Sequence, residues 1–273
     1  MSFQLNSTPR ASASLPSDKQ QIVQTAEALV DGVASSWKKG KCYKHKLTRN
    51  PTLDGDEVAV QTYYTTIGSD YWLSRASSHH VTPAVYEAVV RELNGSTRDR
   101  APTSDAIPGP AGSRDPTSWQ MPDRAARSRR ERDYIEVLSK VDVVDTTAAG
   151  WVLVNLEYEL GRPMATREFN EWVYPVEPYT ATSGRERCMV VSLVADAPLR
   201  DPHKHTHGIY ASVELLEYDY ATSTLYWTMC TTSDAGGNVP KWIQNATIAK
   251  TVSKDVSFFL SWLGEQPSQD PAN

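Results

Sequence analysis

Five strand-like segments in direct succession, followed by one long amphipathic helix, limit the possible folds of this sequence more than any other feature. Between Trp151 and Thr232 the chain alternates apolar and polar residues in five stretches bounded by turn residues. Strands joined by short connections pair as an antiparallel meander. From about Val239 to Leu263 apolar residues recur on one helical face. The sequence therefore predicts an α+β fold, in which a curved antiparallel sheet wraps around the C-terminal helix and encloses a cavity.

The N-terminal half adds two helices and a hairpin to this arrangement. Residues 1–17 are rich in Ser and Pro and have no apolar period, which predicts a disordered tail. A helical period starts at Asp18, a hairpin follows around residues 47–66, and a second helix begins at Thr82-Pro83. We expect residues 18–265 to form one domain and residues 266–273 to form a second disordered tail.

Residues 95–133 differ in composition from the rest of the chain. They contain five prolines and a basic run from Arg124 to Arg132, which predicts a loop or insertion within the domain. The arginines are interpreted as solvated charges, because the chain as a whole is acidic, with a net charge of −5. No apolar run approaches the ~20 residues that cross a bilayer. We therefore expect neither a nucleic-acid partner nor a transmembrane segment.

The passage into the C-terminal helix carries a family resemblance. The string TTSDAGGNVPKW, from Thr231 to Trp242, resembles the strand-to-helix junction of StAR-related lipid-transfer (START) domains. Arg167-Glu168-Phe169 resembles the Arg-Asp-Phe of that family, and the segments 209–214 and 248–256 are similar to a fungal START-like subgroup of largely unknown function. The glycine pair at 236–237 suits positive φ at a sharp turn, where Asp234 is expected to accept backbone N–H groups.

This resemblance covers about residues 60–263 and implies the helix-grip fold, with a hydrophobic cavity under the C-terminal helix. Members of the wider superfamily bind sterols, phospholipids, plant hormones or polyketides. Some of them are carriers, and others are cyclases, hydrolases or lyases. The resemblance supports the fold and does not choose among these activities.

A histidine cluster is the sharpest local candidate for chemistry. His203, His205 and His207 are spaced two apart, so in an extended strand they share one face. The apolar residues from Ile209 onward continue that parity, which predicts that His207 points toward the cavity. Three imidazoles could hold Zn²⁺, but a solvated loop is the simpler interpretation, and we expect no metal and no cofactor. The predicted acid–base residues are His207, His205 and Asp201.

The expected ligand-binding residues are those placed on the cavity wall by strand or helix phase. The chain has 8 Trp and 13 Tyr against 4 Phe, and aromatic residues with a polar edge suit partly wet cavities. The apolar parity of two strands predicts positions in the cavity wall, and the apolar face of the C-terminal helix predicts the residues that close the cavity. Arg167 is expected to bind a carboxylate ligand or a neighbouring acid. The predicted set is Arg167, Ile209, Val213, Leu225, Trp227, Met229, Trp242, Ala246 and Phe259.

Function is predicted from the resemblance and from the signatures that the sequence lacks. The usual motifs of serine hydrolases, P-loop enzymes and nucleotide-dependent oxidoreductases are absent. Three scattered cysteines and a start without a secretory pattern predict a cytoplasmic protein. We expect a hydrophobic ligand, with proton-transfer chemistry that assists cyclisation or release of a polyketide made by a partner synthase. The alternatives are a non-catalytic lipid or sterol carrier, and an interaction module that docks through its basic insertion.

Overall fold

The computed structural model describes residues 3–48, 55–98, 119–159, 161, 165–237 and 241–266. The helices are α1 (Lys19–Asp31), α2 (Val33–Ser36), α3 (Pro83–Leu93), α4 (Ala126–Tyr134) and α5 (Lys241–Glu265), with a short 3-10 turn at Ser12–Ser14. The strands are β1 (Lys38–Lys46), β2 (Glu57–Ile67), β3 (Asp70–His80), β4 (Thr97–Arg98), β5 (Trp119–Gln120), β6 (Leu138–Thr146), β7 (Val152–Tyr158), β8 (Arg167–Thr180), β9 (Glu186–Val194), β10 (Thr206–His207), β11 (Ile209–Asp219) and β12 (Thr224–Asp234).

One large sheet organises the described part of the chain. Its order is β1-β2-β3-β12-β11-β9-β8-β7-β6, and β10 pairs in parallel beside β8. The main strands pair antiparallel, as expected for short connections between successive strands. The β3–β12 pairing joins the N-terminal strands to the meander. The predicted α+β arrangement of a curved antiparallel sheet and a C-terminal helix is therefore confirmed.

Helix α5 covers the concave face of the sheet. Its residues Val256, Phe259 and Leu260 are buried in a cluster that also contains Trp227 and residues of α3. Helix α3 begins as predicted, because the Thr82 side chain accepts a hydrogen bond from Val85 N and Pro83 occupies the first turn. At the junction before α5, Gly236 and Gly237 have φ of 65° and 70°, and Gly236 N donates to Asp234 Oδ1 over 2.8 Å. The predicted turn is confirmed.

The convex face of the sheet is covered as well, by α1 and the N-terminal segment. Ile22, Ala26 and Val30 of α1 are buried together with Val191 and Val213 of the sheet. Asp18 caps α1 through a hydrogen bond accepted from Gln20 N. A central strand of this sheet is therefore enclosed on both sides.

The predicted disorder of residues 1–17 is wrong for the described residues 3–17. Leu5 is buried, the indole of Trp172 donates to the Arg10 carbonyl over 2.9 Å, and the indole of Trp151 donates to the Pro16 carbonyl over 2.8 Å. A segment poor in apolar side chains is ordered here because its backbone satisfies two enclosed indole N–H groups. The predicted tail at 266–273 lies, except for Gln266, outside the described residues.

The C-terminal part of the predicted insertion at 95–133 is folded into the domain. Residues 99–118 lie outside the described residues, but 119–133 contain β5 and most of α4. Arg127 is 4% exposed, donates to the Leu93 carbonyl over 2.8 Å, and pairs with Glu131 at 2.5 Å. The interpretation of the arginine run as solvated charge is therefore wrong for Arg127. Helical spacing turns this residue inward, and a glutamate four residues later neutralises it.

Candidate ligand-binding cavity

A cavity of about 520 Å³ lies between the concave face of the sheet and the helices α4 and α5. Strands β8, β9, β11 and β12 form its floor, and α5 closes it from above. The apolar part of its wall includes Leu156, Phe169, Val190, Trp227, Met229, Val252 and Phe259. This volume and this lining suit the apolar body of a small molecule.

An ion pair fixes one polar side of the cavity. Arg75 Nη2 on β3 lies 2.8 Å from Glu214 Oε1 on β11, and the Trp227 indole donates to the same oxygen over 2.8 Å. The Arg75 guanidinium also lies 4.6 Å from the centre of the Trp227 ring. Strand pairing places Met229 beside both Arg75 and Glu214, so three strands contribute to this group. The arginine is enclosed and held from two directions, which makes this part of the wall rigid.

Helix α4 supplies a second ion pair, between Arg127 and Glu131. Both residues line the cavity. Burial raises the pKa of Glu131, and the adjacent Arg127 charge opposes that rise. The two pairs neutralise two of the carboxyl groups in the wall.

Two further carboxyl groups in the wall, Glu171 and Asp255, have no ion-pair partner among the residues that the structure describes. Burial raises the pKa of Glu171 to about 8, with the Glu131 charge adding to the rise. Burial likewise raises the pKa of Asp255 to about 7, against the lowering effect of Arg75. A carboxyl group that is taken out of water without a cation keeps its proton. Near neutral pH, Glu171 is mostly a neutral acid that can donate a hydrogen bond.

Three tyrosines complete the polar wall: Tyr134, Tyr158 and Tyr210. Burial raises the pKa of all three phenols, so they remain neutral hydroxyl groups. The Tyr210 hydroxyl lies 3.6 Å from the Met229 sulfur. The cavity therefore offers hydroxyl and carboxylic acid donors to a ligand, beside two fixed ion pairs.

Four of the predicted ligand-binding residues line the cavity: Arg167, Trp227, Met229 and Phe259. Arg167 donates from Nε to the Ala235 carbonyl over 2.8 Å and from Nη1 to the Ala165 carbonyl over 2.5 Å. Its guanidinium therefore ties the start of β8 to the junction before α5. Whether these four residues bind a ligand stays a prediction.

The other members of the predicted set lie elsewhere. Val213 belongs to the core under α1, on the opposite face of β11, and Leu225 packs with residues of α5 outside the cavity lining. Ile209 does not contribute to the lining that the structure describes. The side chains of Trp242 and Ala246 lie outside the described residues. The wall position predicted for Val213 is wrong because the apolar face of β11 packs in the dry core beneath α1.

The structure places the predicted acid–base residues outside the cavity. His207 is exposed on β10, so its predicted orientation toward the cavity is wrong. His205 Nδ1 lies 2.8 Å from Glu168 Oε2, and Glu168 also accepts hydrogen bonds from Arg200 N and Asn155 Nδ2. Burial favours the neutral acid, but these hydrogen bonds outweigh it and lower the pKa of Glu168.

Asp201 accepts a hydrogen bond from Lys204 N over 3.2 Å, in the same loop. His205 and Asp201 thus belong to a loop that folds around one buried carboxylate, Glu168. Among the described residues, no group of His, Cys, Asp and Glu side chains is arranged to hold a metal ion.

Sequence reasoning missed most of the polar wall. Tyr210, Ser212 and Glu214 alternate along β11 with Ala211, Val213 and Leu215, and the sequence favoured the apolar set for the cavity. The signal that could have found these residues is the same alternation, assigned to the opposite face.

Comparison with known proteins supports the fold. Residues 72–263 match the sequence model of a family described as "Protein of unknown function (DUF3074)". Human STARD10 is similar in structure, with a TM-score of 0.57 and 9% identity over 92% of this chain and 80% of that one. Human StAR-related lipid transfer protein 5 has a TM-score of 0.53 and 9% identity over 90% and 98% of the two chains.

A third similar structure is the human StarD13 (DLC2) lipid transfer and protein localization domain. Its TM-score is 0.50, with 14% identity over 91% of this chain and 96% of that one. No curated protein matches the sequence. At these identities the likenesses show the START-like fold alone. The helices of the described residues include none that is both long and apolar enough to cross a membrane.

Proposed function

We propose that this chain, which belongs to the family described as protein of unknown function (DUF3074), binds an apolar small molecule in the cavity beneath α5. The observation that carries the proposal is the cavity of about 520 Å³, whose wall is largely apolar and has a polar group of acids and hydroxyls on one side. Burial of an apolar body in such a site is favoured by the hydrophobic effect, and a few fixed polar groups orient the ligand.

Relatives with the same fold support this proposal. The name of one similar structure is StAR-related lipid transfer protein 5, and another is a lipid transfer and protein localization domain. The proposal that the present chain also binds an apolar molecule rests on the shared fold together with the cavity of this chain.

The residues of the wall define how the ligand is held. Trp227, Met229 and Phe259 contact its apolar body. Glu171, and Asp255 in its protonated form, donate hydrogen bonds to oxygen atoms of its polar part. A ligand with hydroxyl or carbonyl oxygens along an apolar skeleton suits both sides of the cavity.

Native mass spectrometry of the purified protein tests the proposal directly, because a bound ligand adds its mass to the chain. Binding of a fluorescent apolar probe gives a second measurement. Ser212→Phe places a ring in the cavity, since Ser212 is in its lining and is 4% exposed. We expect at least tenfold weaker probe binding by this variant. The matched control is Thr66→Phe, at an exposed position of β2.

Equal probe binding by Ser212→Phe and Thr66→Phe, with both variants folded, would contradict the cavity as the binding site. Val190→Phe provides an independent filling variant, because Val190 lines the cavity from β9. A wild-type protein that neither carries a ligand nor binds the probe would contradict the proposed function itself.

A second candidate function is acid–base chemistry on the bound ligand, such as the cyclisation of a polyketide expected from the sequence. Two unpaired carboxyl groups with pKa near neutrality favour it, since one can donate a proton while the other accepts one. This assigns proton transfer to Glu171 and Asp255 rather than to His207. A ligand identified by mass spectrometry is incubated with wild-type protein and with Glu171→Gln. Unchanged ligand after incubation with the wild-type protein would favour a carrier.

A further inference from the structure

Strand β1 has the largest net charge of any helix or strand in the described part of the chain. Its nine residues include Lys38, Lys39, Lys41, Lys44 and Lys46 and no acid, although the whole chain has a net charge of −5. All five lysines are exposed. Among the described residues an ion pair is found for Lys44 alone, with Glu57 at 3.0 Å. The strand lies at the edge of the sheet, so its positive charge faces solvent.

The positive charge continues from β1 onto α5. His45 Nε2 on β1 lies 2.9 Å from Ser253 Oγ on α5, between the exposed residues Lys250 and Lys254. Burial and the charges of these two lysines lower the pKa of His45. Lys44 and Lys46 flank His45 in the strand and therefore point away from α5. We call the exposed residues Lys38, Lys39 and Lys41 of β1 together with Lys250 and Lys254 the lysine face.

The lysine face reaches the cavity. Lys254 is part of the cavity lining, and one helical turn later Phe258 lines the cavity with 44% of its surface exposed. Val137, on the other side of the opening, is 41% exposed. Exposed apolar side chains at the rim of a cavity, next to lysines, are typical of surfaces that lie in a bilayer interface.

We propose that the lysine face docks the protein on an anionic phospholipid bilayer, with Phe258 in the headgroup region and the cavity opening toward the membrane. The lysines attract the negative surface, and the position of Phe258 lets an apolar ligand pass between bilayer and cavity without crossing water. The role of this surface in ligand exchange rests on the proposed function. Docking itself does not.

A simpler role for edge-strand lysines is to prevent pairing with another strand. That role explains the lysines of β1, but it explains neither Lys250 and Lys254 on the helix nor the exposed ring of Phe258. A nucleic acid would also be attracted by the lysines. The exposed apolar residues at the same place favour a bilayer over a duplex, because Val137 and Phe258 would gain nothing from contact with the phosphate groups of a duplex backbone.

Co-sedimentation with vesicles of phosphatidylcholine, with and without phosphatidylserine, tests the proposal. We expect binding that requires phosphatidylserine and weakens as salt is raised. Reversal of three strand charges, Lys38→Glu with Lys39→Glu and Lys41→Glu, lowers vesicle affinity at least tenfold, and Lys250→Glu lowers it to a smaller extent. The control is Lys19→Glu with Lys204→Glu, which reverses two charges on α1 and in the loop before β10, and we expect it to leave affinity within twofold.

Phe258→Asp tests the apolar contact, with Val144→Asp on β6 as its control, because Val144 is 49% exposed and outside the cavity lining. We expect Phe258→Asp to weaken vesicle binding and Val144→Asp to leave it unchanged. Equal binding to vesicles without phosphatidylserine, or no loss in the triple lysine variant, would overturn the proposal. Tighter binding to an RNA oligomer than to anionic vesicles would overturn it as well.

Probe binding in solution separates the two proposals. The triple lysine variant keeps the cavity lining intact, so it is expected to bind the fluorescent apolar probe as the wild type does. Vesicle binding without probe binding by the wild type would refute the proposed function and leave docking standing. Probe binding without vesicle binding would refute docking alone.

Discussion

The two faces of strand β11 are both covered by other parts of the molecule, yet they carry opposite chemistry. Val213 and Leu215 point into a dry core beneath α1, where they are 0% and 4% exposed. Tyr210, Ser212 and Glu214 line the cavity beneath α5. In this protein burial does not distinguish the two faces, because each has a helix over it. Unfilled space and polar side chains together distinguish the cavity face from the core face.

The sharpest way to break this comparison is to place the same charge on each face. Val213→Asp puts a carboxylate in close-packed apolar surroundings, and we expect it to lower the free energy of unfolding by about 4 kcal/mol or more. Ser212→Asp puts the same group against the cavity, where space and hydroxyl groups are available, and we expect less than half of that loss. Urea denaturation of both variants measures the difference, and equal losses would contradict the assignment of the faces.

The ion pair between Arg75 and Glu214 on the cavity face predicts the next largest change in unfolding free energy. Glu214→Leu leaves the Arg75 charge enclosed and unpaired, which we expect to cost about 3 kcal/mol of unfolding free energy. Arg75→Met added to Glu214→Leu removes the stranded charge and restores most of the loss. Thermal denaturation of the single and double variants makes this comparison. A double variant as unstable as the single one would show that packing, rather than charge, accounts for the effect.

The unpaired acids of the cavity face predict how stability depends on pH. The pKa of Glu171 is about 8 in the folded protein and lies near its ordinary value when the chain is unfolded. The folded state therefore binds more protons between about pH 4.5 and 8, and the free energy of unfolding falls as pH rises through that range.

We expect Glu171→Gln to remove roughly 3 kcal/mol of this fall between pH 5 and pH 8, because glutamine stays neutral at every pH. Urea denaturation at about pH 5 and about pH 8 compares the variant with the wild type. Glu136→Gln is the control, since Glu136 is an exposed carboxyl group at the same cavity. The same pH dependence in wild type and Glu171→Gln would contradict the buried neutral acid.

The N-terminal segment that covers the convex face predicts the smallest change in unfolding free energy. Trp172→Phe removes the indole that donates to the Arg10 carbonyl, and we expect a loss of about 1 kcal/mol of unfolding free energy. Limited proteolysis within residues 3–17 is expected to become faster at the same time. Tyr179→Phe, which loses a hydrogen bond to Glu27 on α1, serves as the comparison on that face. Unchanged proteolysis in Trp172→Phe would show that other contacts hold the segment.

Much of the fold was predictable because its signals are local. The cap at Asp18, the proline at the start of α3 and the glycine pair at 236–237 are short-range features, and the structure has each of them. The segment 3–17 was not predictable in this way. Its order depends on the indoles of Trp151 and Trp172, which are more than a hundred residues distant in the chain.

The site was less predictable than the fold. Trp227 and Met229 lie in the cavity wall on the strongly apolar parity of β12, and Phe259 lies there on the apolar face of α5. On β11 the same rule selected Val213, which belongs to the other face. The rule assumes that one face of a sheet is buried, and here both faces are.

Local periodicity in the sequence by itself determined the succession of strands, the long C-terminal helix and the turn that joins them, because each of these depends on neighbours within a few residues. The tertiary structure alone decided which face of the sheet encloses the cavity. It also decided that Arg75 meets Glu214, 139 residues further along the chain, and that Glu171 stays without a cation. The physical reason is that burial and charge pairing depend on what other elements bring to a position, which the period of a single strand does not contain.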